Sequence, residues 1–427
     1  MSDRVYWLTW AIFSLTYAGL ALGRVPGLRI DRAGIAFVGA TLILIAGVLT
    51  LDEATSRQSL DFKTLFLLFG MMIVVGALRL SGVFQQLIDL AASSLSSPRM
   101  LLAVTICLSG LLSAFLINDV VCIALTPLVL HLARRMKVDP LPHLIGLATA
   151  ANIGSTATIT GNPQNIYIGV HSGITYFRFA TRLFPIALFG LALNFLVVWF
   201  VYRNRLAPPT NPEQACRGHV QVVDAPTDDA PRHSRLLFLQ IKSVVVTLAA
   251  VILFFAGFPL ELVSLGAAAV VLLDRIKPEK IYREVDWSLL VMFTGLFIVV
   301  HAFQVHVVEG WNVETWSWLL DRPVGVLSLA SLGLSNLVSN VPAVLLLEPV
   351  VQAMPAATKE SGWLALAMSS TFAGNLTILG SVANLIVAES ARRRGVEIGF
   401  REYLKVGVPL TLLTTGLGVA WLALVHY

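Results

Sequence analysis

The chain has 427 residues, of which 56% are apolar and only 13% are charged, and its formal net charge is +5. A soluble domain is typically about 25% charged. The low charged fraction therefore excludes an ordinary water-exposed globule, and it equally excludes a disordered chain, a collagen and a coiled coil. We interpret the sequence as a polytopic membrane protein, with the lipid bilayer as its surroundings.

The excess of positive charge fits basic cytoplasmic loops better than a nucleic-acid surface, so we predict no nucleic-acid partner. Three cysteines cannot form a disulfide framework or a four-ligand zinc site, and the sequence contains no H-E-x-x-H motif. We predict no metal, no cofactor and no catalytic residues, and hence no enzyme. The sequence has no phosphate-binding G-x-x-x-x-G-K-[ST] loop, which disfavours ATP-driven pumping, although a separate ATPase subunit stays an open alternative.

Apolar runs without charges predict the membrane-spanning helices. A span needs about 20 such residues to cross the hydrocarbon. The clear candidates in chain order are residues 7–23, 33–51, 61–80, 181–203, 236–257, 260–274, 286–306 and 403–425.

Four longer runs do not fit straight helices. Residues 100–134 and 324–353 each consist of two apolar arms around a polar tip, and we predict re-entrant hairpins there. Residues 141–171 and 362–391 are interrupted by polar, glycine-containing stretches, and we predict broken helices that cross once each. The result is an all-α protein with about ten transmembrane helices.

This arrangement places 23 of the 30 lysines and arginines on one side of the membrane. By the positive-inside rule that side is cytoplasmic, which puts both termini outside the cell (inner) membrane. Residues 204–235 contain five prolines and have the composition of a linker. We interpret them as a cytoplasmic connector between a first half, residues 1–203, and a second half, residues 236–427.

The two halves align with each other. Asn118 aligns with Asn340 at an offset of 222, and Asp61 aligns with Asp286 at an offset of 225. Each half holds five predicted spans and one hairpin, an odd number of crossings, so the second repeat is predicted to be inverted. Inverted repeats with broken helices are typical of secondary transporters, whose site lies near the membrane midplane.

The hairpin tips carry Ser113 with Asn118, and Ser335 with Ser339 and Asn340. A tip at mid-membrane leaves backbone groups unpaired, which is tolerated where they line a cavity. Asparagine and serine oxygens can bind a cation, and their donors can bind an anion. We favour a substrate or ion site here over the alternative of polar contacts between helices.

Gly161, Asn162 and Pro163 cannot continue a regular helix comfortably, so the first broken helix is predicted to unwind around residues 158–164 and restart near Gln164-Asn165. A restarting helix points its positive end into the membrane, which makes an anion site. The alternative is a simple proline kink. The candidate site residues in the two interruptions are Thr160, Gly161, Asn162 and Asn165, and Gly380, Ser381 and Asn384.

Asp119 is a functional candidate because a carboxylate at a helix centre costs on the order of 2.5–3.5 kcal/mol in a membrane. It can exchange protons, ligate a cation or cap the second hairpin arm, and we predict that it couples transport to protons. The second repeat has Val341 at this place. Neither tips nor interruptions contain lysine or arginine, so a neutral acid fits them better than a multiply charged anion.

The segments N-D-V-V-C-I-A-L-T-P (Asn118–Pro127), A-N-I-G-S-T-A-T-I-T-G-N-P-Q-N (Ala151–Asn165) and S-N-V-P (Ser339–Pro342) resemble the ion transporter superfamily. That group includes citrate-type carriers, divalent anion/sodium symporters, arsenite permeases and sodium/proton antiporters. The resemblance implies a homodimer and an elevator-type movement of a transport domain against a scaffold. Asn-Asp followed by Thr-Pro is similar to the arsenite permease and antiporter branch.

The sequence therefore predicts a proton-coupled secondary carrier for a small oxyanion or its neutral acid, with arsenite or antimonite efflux favoured. Two alternatives stay open. One is sodium- or proton-coupled transport of a carboxylate such as citrate or a dicarboxylate. The other is sodium/proton antiport, in which Asp119 ligates the ion. The coupling ion is accordingly H⁺ or Na⁺.

Overall fold

The structure is a computed structural model that describes residues 3–22, 30–92, 97–206, 233–274, 277–311, 316, 319 and 322–424. These residues form helices and no β-strand, which confirms the predicted all-α class. Most of the predicted linker, residues 207–232, lies outside the described part of the chain.

Nineteen α-helices are described, ten before the linker and nine after it. The first ten are α1 (Asp3–Leu22), α2 (Arg32–Ile45), α3 (Leu51–Ala54), α4 (Phe62–Leu80), α5 (Val83–Ala92), α6 (Pro98–Phe115), α7 (Asn118–Arg135), α8 (Leu141–Ser155), α9 (Pro163–His171) and α10 (Tyr176–Tyr202). The others are α11 (His233–Phe255), α12 (Leu260–Leu272), α13 (Pro278–Tyr282), α14 (Trp287–His306), α15 (Pro323–Val338), α16 (Asn340–Gln352), α17 (Ala356–Ala373), α18 (Val382–Arg392) and α19 (Phe400–Leu424).

Seven of these helices are long and apolar enough to cross a membrane, and each lies on a predicted span or hairpin arm. They are α1, α4, α6, α10, α11, α14 and α19. Helices α2, α12, α15 and α16 are apolar but shorter. The chain is thus a multi-pass membrane protein, while the total of ten crossings stays a prediction.

Two predicted spans have the wrong limits. The span at 33–51 ends early, at Ile45, because the chain turns at Gly47 in the left-handed region with φ of +67°. The span predicted to begin at residue 181 begins at Tyr176, where the Thr175 hydroxyl accepts the Arg178 N–H over 3.3 Å. Arg178 and Arg182, in the first two turns, conceal the true start, which a side-chain cap defines.

Two glycines at an offset of 225 bring helices into close contact. A Cβ atom on Gly70 would lie 2.7 Å from the carbonyl carbon of Ser264, where α4 crosses α12. A Cβ atom on Gly295 would lie 2.6 Å from the carbonyl carbon of Ala36, where α14 crosses α2. Real Cβ atoms do not approach backbone so closely, so both crossings require glycine. Each half therefore supplies one such glycine, and each crossing joins a helix of one half to a helix of the other.

The four predicted interruptions are all present. Helices α6 and α7 are separated at Leu116, which is extended, and α15 and α16 at Ser339, which has a φ of 81°. Residues 156–162 separate α8 from α9, and residues 374–381 separate α17 from α18. The helix restarts at Pro163, just before the predicted Gln164-Asn165, because proline fits the first position of a helix.

Candidate functional site: interrupted segments joined by asparagines

The first hairpin contacts the first broken helix through hydroxyl groups. The Thr158 hydroxyl donates to the carbonyl oxygen of Ala114 at the end of α6. Next to it, the Thr160 hydroxyl lies 2.8 Å from the Tyr176 hydroxyl and 3.4 Å from the carbonyl oxygen of Phe115. These bonds satisfy carbonyl groups that the end of α6 leaves free. They hold the hairpin tip against the unwound segment.

The second hairpin contacts the second broken helix through an amide group. Asn336 Nδ2 donates to the carbonyl oxygen of Ala373, the last residue of α17, over 3.0 Å. A Cβ atom on Gly380 would lie 3.0 Å from Asn336 Oδ1, and one on Gly374 would lie 3.4 Å from Asn340 Nδ2. The glycines therefore admit the hairpin tip close to the unwound backbone. As in the first half, a tip and an interruption lie side by side.

Asn152, on α8, connects the two halves. Its Oδ1 accepts hydrogen bonds from Asn118 Nδ2 and from the Ser381 hydroxyl, both over 3.1 Å. Its Nδ2 donates to Asn375 Oδ1 over 2.9 Å and to Asn384 Oδ1 over 3.1 Å. One fully buried side chain thus joins the tip of hairpin one to three side chains at the interruption of α17 and α18.

A second connection joins a helix of the second half to the interruption of the first half. The Thr371 hydroxyl, on α17, accepts from Asn162 Nδ2 and from Gln164 Nε2, each over 3.2 Å. Thr371 follows Asn152 by 219 residues, and Ser381 follows Asn162 by the same number. Each half therefore uses the same position near its helix end to contact the interruption of the other half.

The unwound segments are closed in the same way in both halves. Asn165 Nδ2 donates to the carbonyl oxygens of Ser155 and Thr158, both over 3.1 Å. Asn384 Nδ2 donates to the carbonyl oxygens of Gly374, over 2.6 Å, and of Thr377, over 3.1 Å. The donor and both acceptors of the second half each follow their counterparts in the first half by 219 residues. An asparagine therefore replaces the missing helical donors at each break.

The two restarted helices have side-chain caps at equivalent positions. Asn162 Oδ1 accepts the backbone N–H of Asn165 over 2.9 Å at the start of α9, and the Ser381 hydroxyl accepts that of Ala383 over 3.2 Å at the start of α18. Gly161 precedes the first cap, and a Cβ atom there would lie 2.8 Å from the carbonyl carbon of Ser155. Glycine is thus required for the tight turn into α9.

Several buried oxygens around these contacts have no hydrogen-bond partner among the described residues. They belong to both hairpin tips and to one interruption: Ser113 Oγ, Asn118 Oδ1, Asn165 Oδ1, Ser335 Oγ, Asn336 Oδ1 and Asn340 Oδ1. Leaving such a group unpaired costs about 1–3 kcal/mol, so it requires a water, an ion or a ligand. Ser113 and Asn118 align with Ser335 and Asn340, so the free acceptors recur in the two halves.

Asp119 lies in the first turn of α7 and is half-buried. Its carboxylate has no hydrogen bond or ion pair with any described residue, and no side chain caps α7 at Ile117. The structure therefore does not support the alternative in which Asp119 caps the helix. Its neighbour Asn118 bonds to Asn152, so Asp119 borders the asparagine contacts without joining them.

Sequence reasoning missed several residues of this arrangement. Asn152, Asn336, Thr371 and Asn375 take part in it, and Ser155 accepts from two of the predicted residues. All of them lie inside the predicted second hairpin, residues 324–353, or the predicted broken helices, residues 141–171 and 362–391. The signal was present as an excess of asparagine beside the breaks, but only the three-dimensional contacts select these positions.

Membrane-spanning helices, together with interrupted segments that meet through buried polar side chains, define a multi-pass membrane transporter. A sequence profile described as the Citrate transporter family, CitMHS, matches residues 10–373. The chain belongs to this family. It is a family of secondary transporters, which confirms the prediction of a transporter rather than an enzyme.

Individual relatives agree with this assignment. The chain is 33% identical to a rice protein named silicon efflux transporter LSI3, covering 92% of this chain and 93% of the relative. It is 26% identical to the putative transporter arsB of Dictyostelium discoideum, covering 93% and 88%. A 46 kDa membrane protein of Mycobacterium leprae is 28% identical, covering 96% of each chain.

The fold resembles a solved transporter. The YdaH transporter of Alcanivorax borkumensis superimposes with a TM-score of 0.57 at 17% identity, covering 98% of this chain and 96% of the other. At this identity the similarity concerns the fold alone. It agrees with the resemblance to the ion transporter superfamily that the sequence motifs indicate.

Proposed function

We propose that the chain is a proton-coupled secondary transporter for a small oxyanion or its neutral acid, with arsenite or antimonite efflux favoured. The observation that carries this proposal is the chemistry of the site. Its side chains are amides and hydroxyls, several oxygens have no partner among the described residues, and its segments contain no lysine or arginine. Such a site suits a ligand that donates hydrogen bonds and carries no large charge.

A neutral hydroxylated acid has this character. Arsenous acid and silicic acid both carry several hydroxyl groups and are uncharged in neutral water. Their hydroxyls can donate to the free oxygens of Asn118 and Asn340 and accept from amide groups. The names of the rice silicon transporter and of the Dictyostelium arsB protein support this class of substrate. Silicic acid is accordingly the first compound to test after arsenite.

We further propose that the halves are inverted repeats and that the hairpins are re-entrant. The 219-residue relationships among the side-chain contacts support a repeat. We also propose that the transporter is a homodimer that works by an elevator movement. It lies in the inner membrane, with both termini outside and the linker in the cytoplasm. The motif resemblance and the distribution of basic residues support these parts.

Asp119 is proposed to carry the coupling proton. The decisive experiment measures radioarsenite uptake into everted vesicles driven by an imposed pH gradient. Wild-type vesicles should exceed empty vesicles, and uptake at the empty-vesicle level would refute the proposal. Asp119→Asn should remove the response to the gradient while expression is kept, because no described hydrogen bond is lost. Asp52→Asn, which changes an exposed aspartate of α3, is the matched control.

Carboxylate transport is the second candidate, favoured by the description of the family as citrate transporters. A multiply charged anion would depend on helix N-termini and a co-bound cation for compensation. Sodium-dependent thermal stabilisation by citrate or succinate, without stabilisation by arsenite, would select it. A change in the pH inside vesicles after a pulse of sodium, with no arsenite or carboxylate present, would instead select sodium/proton antiport.

A further inference from the structure

A second group of titratable residues lies apart from Asp119. The Tyr167 hydroxyl, on α9, donates to Glu348 Oε2 on α16. The Tyr167 ring lies against the imidazole of His171, with ring centroids 4.1 Å apart. His171 Nδ1 lies 3.0 Å from the backbone carbonyl oxygen of Tyr167 and 3.7 Å from Asp61 Oδ2. Four titratable side chains thus follow one another from α16 to the start of α4.

One end of this series lies at the ends of helices. Asp61 precedes the first turn of α4, where its carboxylate accepts the backbone N–H of Thr64, and His171 is the last residue of α9. Their side chains are 16% and 25% exposed. Lys63, in the first turn of α4, is exposed nearby. This end of the series is therefore accessible to water, while Glu348 lies within the second hairpin.

The surroundings of Glu348 contain few other ionisable groups. Helices α9, α14, α15 and α17 pack against α16, and Tyr17 of α1 donates to the carbonyl oxygen of Pro342 over 3.1 Å. The titratable residues of these packed helices are Tyr167 and His171 on α9, His301 and His306 on α14, and Lys359 and Glu360 on α17, with none on α15. Among described residues, Tyr167 is the one that bonds the Glu348 carboxylate.

We propose that Glu348 is a second proton-binding site of the transporter, filled from the aqueous end at Asp61 and His171. This inference rests on the proposed function, since it assigns a further group to the same proton coupling. In the ionised form, Glu348 accepts the Tyr167 hydroxyl. When a hydronium ion transfers a proton to a carboxylate oxygen of Glu348, one O–H bond of the hydronium breaks, one O–H bond forms at Glu348 and a water molecule is left. The new O–H can donate to the Tyr167 oxygen, and the net charge of the hairpin rises by one.

The position of this site explains how a proton would affect the substrate. Tyr167 lies one turn beyond the cap that Asn162 forms at the start of α9, and Glu348 lies two turns beyond Asn340. Protonation therefore acts on a bond between the first restarted helix and the second hairpin arm. Both elements carry candidate substrate residues. Asp119 occupies the second arm of the other hairpin, so each hairpin has one carboxylate, at a different depth.

The test records infrared spectra of the purified, lipid-reconstituted protein from acidic to mildly alkaline pH and follows the carbonyl stretch of protonated carboxylic acids. Glu348→Gln should remove one titrating band, and Tyr167→Phe should displace the pH midpoint of that band. Glu53→Gln is the matched control. Hydrogen bonds from the Thr50 N–H and hydroxyl hold the pKa of the exposed Glu53 below its usual value, and a glutamine oxygen can accept the same bonds, so the change removes a surface carboxyl and preserves this cap.

The second measurement is arsenite uptake driven by a pH gradient. The gradient-dependent uptake rate of Glu348→Gln should be about tenfold lower than that of the wild type, or lower still; a tenfold change corresponds to about 1.4 kcal/mol. Thermal unfolding checks that the variant is folded. If Glu348→Gln does not fold, Glu348→Asp replaces it and should keep a titrating band at a displaced midpoint, because the shorter side chain retains the carboxylate but not its reach to Tyr167.

Two results overturn the inference: a titration identical to wild type in Glu348→Gln, or a lost band with unchanged gradient-driven uptake. If Asp119→Asn abolishes coupling while Glu348→Gln does not, this inference fails and the proposed function stands. If the wild type itself carries no arsenite, the proposed function fails. The infrared titration still decides whether Glu348 binds a proton in that case.

Discussion

Asn152 Nδ2 donates to Asn375 Oδ1 over 2.9 Å, and this bond joins α8 in the first half of the chain to the unwound segment after α17 in the second. An asparagine amide offers two donors and an acceptor oxygen. Asn152 uses all of them on Asn118, Asn375, Ser381 and Asn384. Its side chain therefore fixes the distance between the first hairpin tip and the second interruption.

Asn152→Ala should destabilise the protein and abolish arsenite transport. The change leaves four buried partners short of a hydrogen bond. A hydrogen bond between helices of a membrane protein contributes about 0.6 kcal/mol on average, so we expect a total of about 2.4 kcal/mol for the four bonds. Thermal unfolding in detergent and uptake into reconstituted liposomes measure the two effects.

Asn194→Ala is the control for this prediction. Asn194 is fully buried on α10, accepts from the Thr149 hydroxyl over 2.9 Å and donates to the carbonyl oxygen of Gly146 over 3.1 Å. It should lower stability by a similar mechanism but keep the apparent constant for arsenite. An equal loss of substrate affinity in both variants would argue against a specific role for Asn152.

The sequence predicts the interruptions well because each has a local cause. Polar residues such as Asn118 and Asn340 stand out in apolar arms, and the Gly161–Pro163 segment cannot continue a helix. Asn152 and Thr371 could not be predicted, since they lie in helical segments and their importance comes from partners more than 200 residues away. The conformation of Ser339 was also unpredictable, because glycine is the usual residue at positive φ.

Asn340→Ala should weaken substrate binding without weakening the fold. Asn340 Oδ1 has no hydrogen-bond partner among described residues, so its removal breaks no bond there. We expect the apparent arsenite constant to rise about tenfold, which corresponds to one hydrogen bond of about 1.4 kcal/mol. The unfolding temperature should stay within the error of the wild type.

The equivalent change in the first hairpin gives a contrast. Asn118→Ala also removes a free Oδ1, but it additionally breaks the bond from Nδ2 to Asn152. It should therefore raise the arsenite constant and lower the unfolding temperature. If Asn340→Ala proves as destabilising as Asn118→Ala, the free oxygen at the second tip has a structural function instead.

Gly70→Ala and Gly295→Ala should each destabilise the protein by about 1–3 kcal/mol, the usual range for an overpacked contact. In both, the added methyl group meets the backbone of a crossing helix, which cannot move as a flexible side chain does. Gly266→Ala, on α12, is the matched control because a Cβ atom there meets nothing within 4 Å. Gly266→Ala should stabilise its helix by up to about 1 kcal/mol. If it lowers the stability of the protein as much as Gly70→Ala does, the packing argument is contradicted.

Ser339→Gly should stabilise the protein. Ser339 has φ of 81° and ψ of 162°, a region that is essentially restricted to glycine and costs other residues about 1–3 kcal/mol. Relief of this strain exceeds the greater unfolded-chain entropy of glycine, about 0.5–1 kcal/mol, so the unfolding temperature should rise. Ser331→Gly makes the same chemical change inside α15 and should lower it, because glycine is a poor helix former.

Ser339→Ala separates the backbone of this tip from its hydroxyl group. Alanine keeps the strained conformation, so the unfolding temperature should not rise, whereas loss of the hydroxyl should raise the apparent arsenite constant if Ser339 contacts the substrate. Strain persists where the surrounding structure enforces it, and it is common at binding sites because it holds groups in position. If Ser339→Gly leaves stability unchanged and Ser339→Ala leaves arsenite affinity unchanged, the tip is neither strained nor a ligand, and hairpin two loses its place in the site.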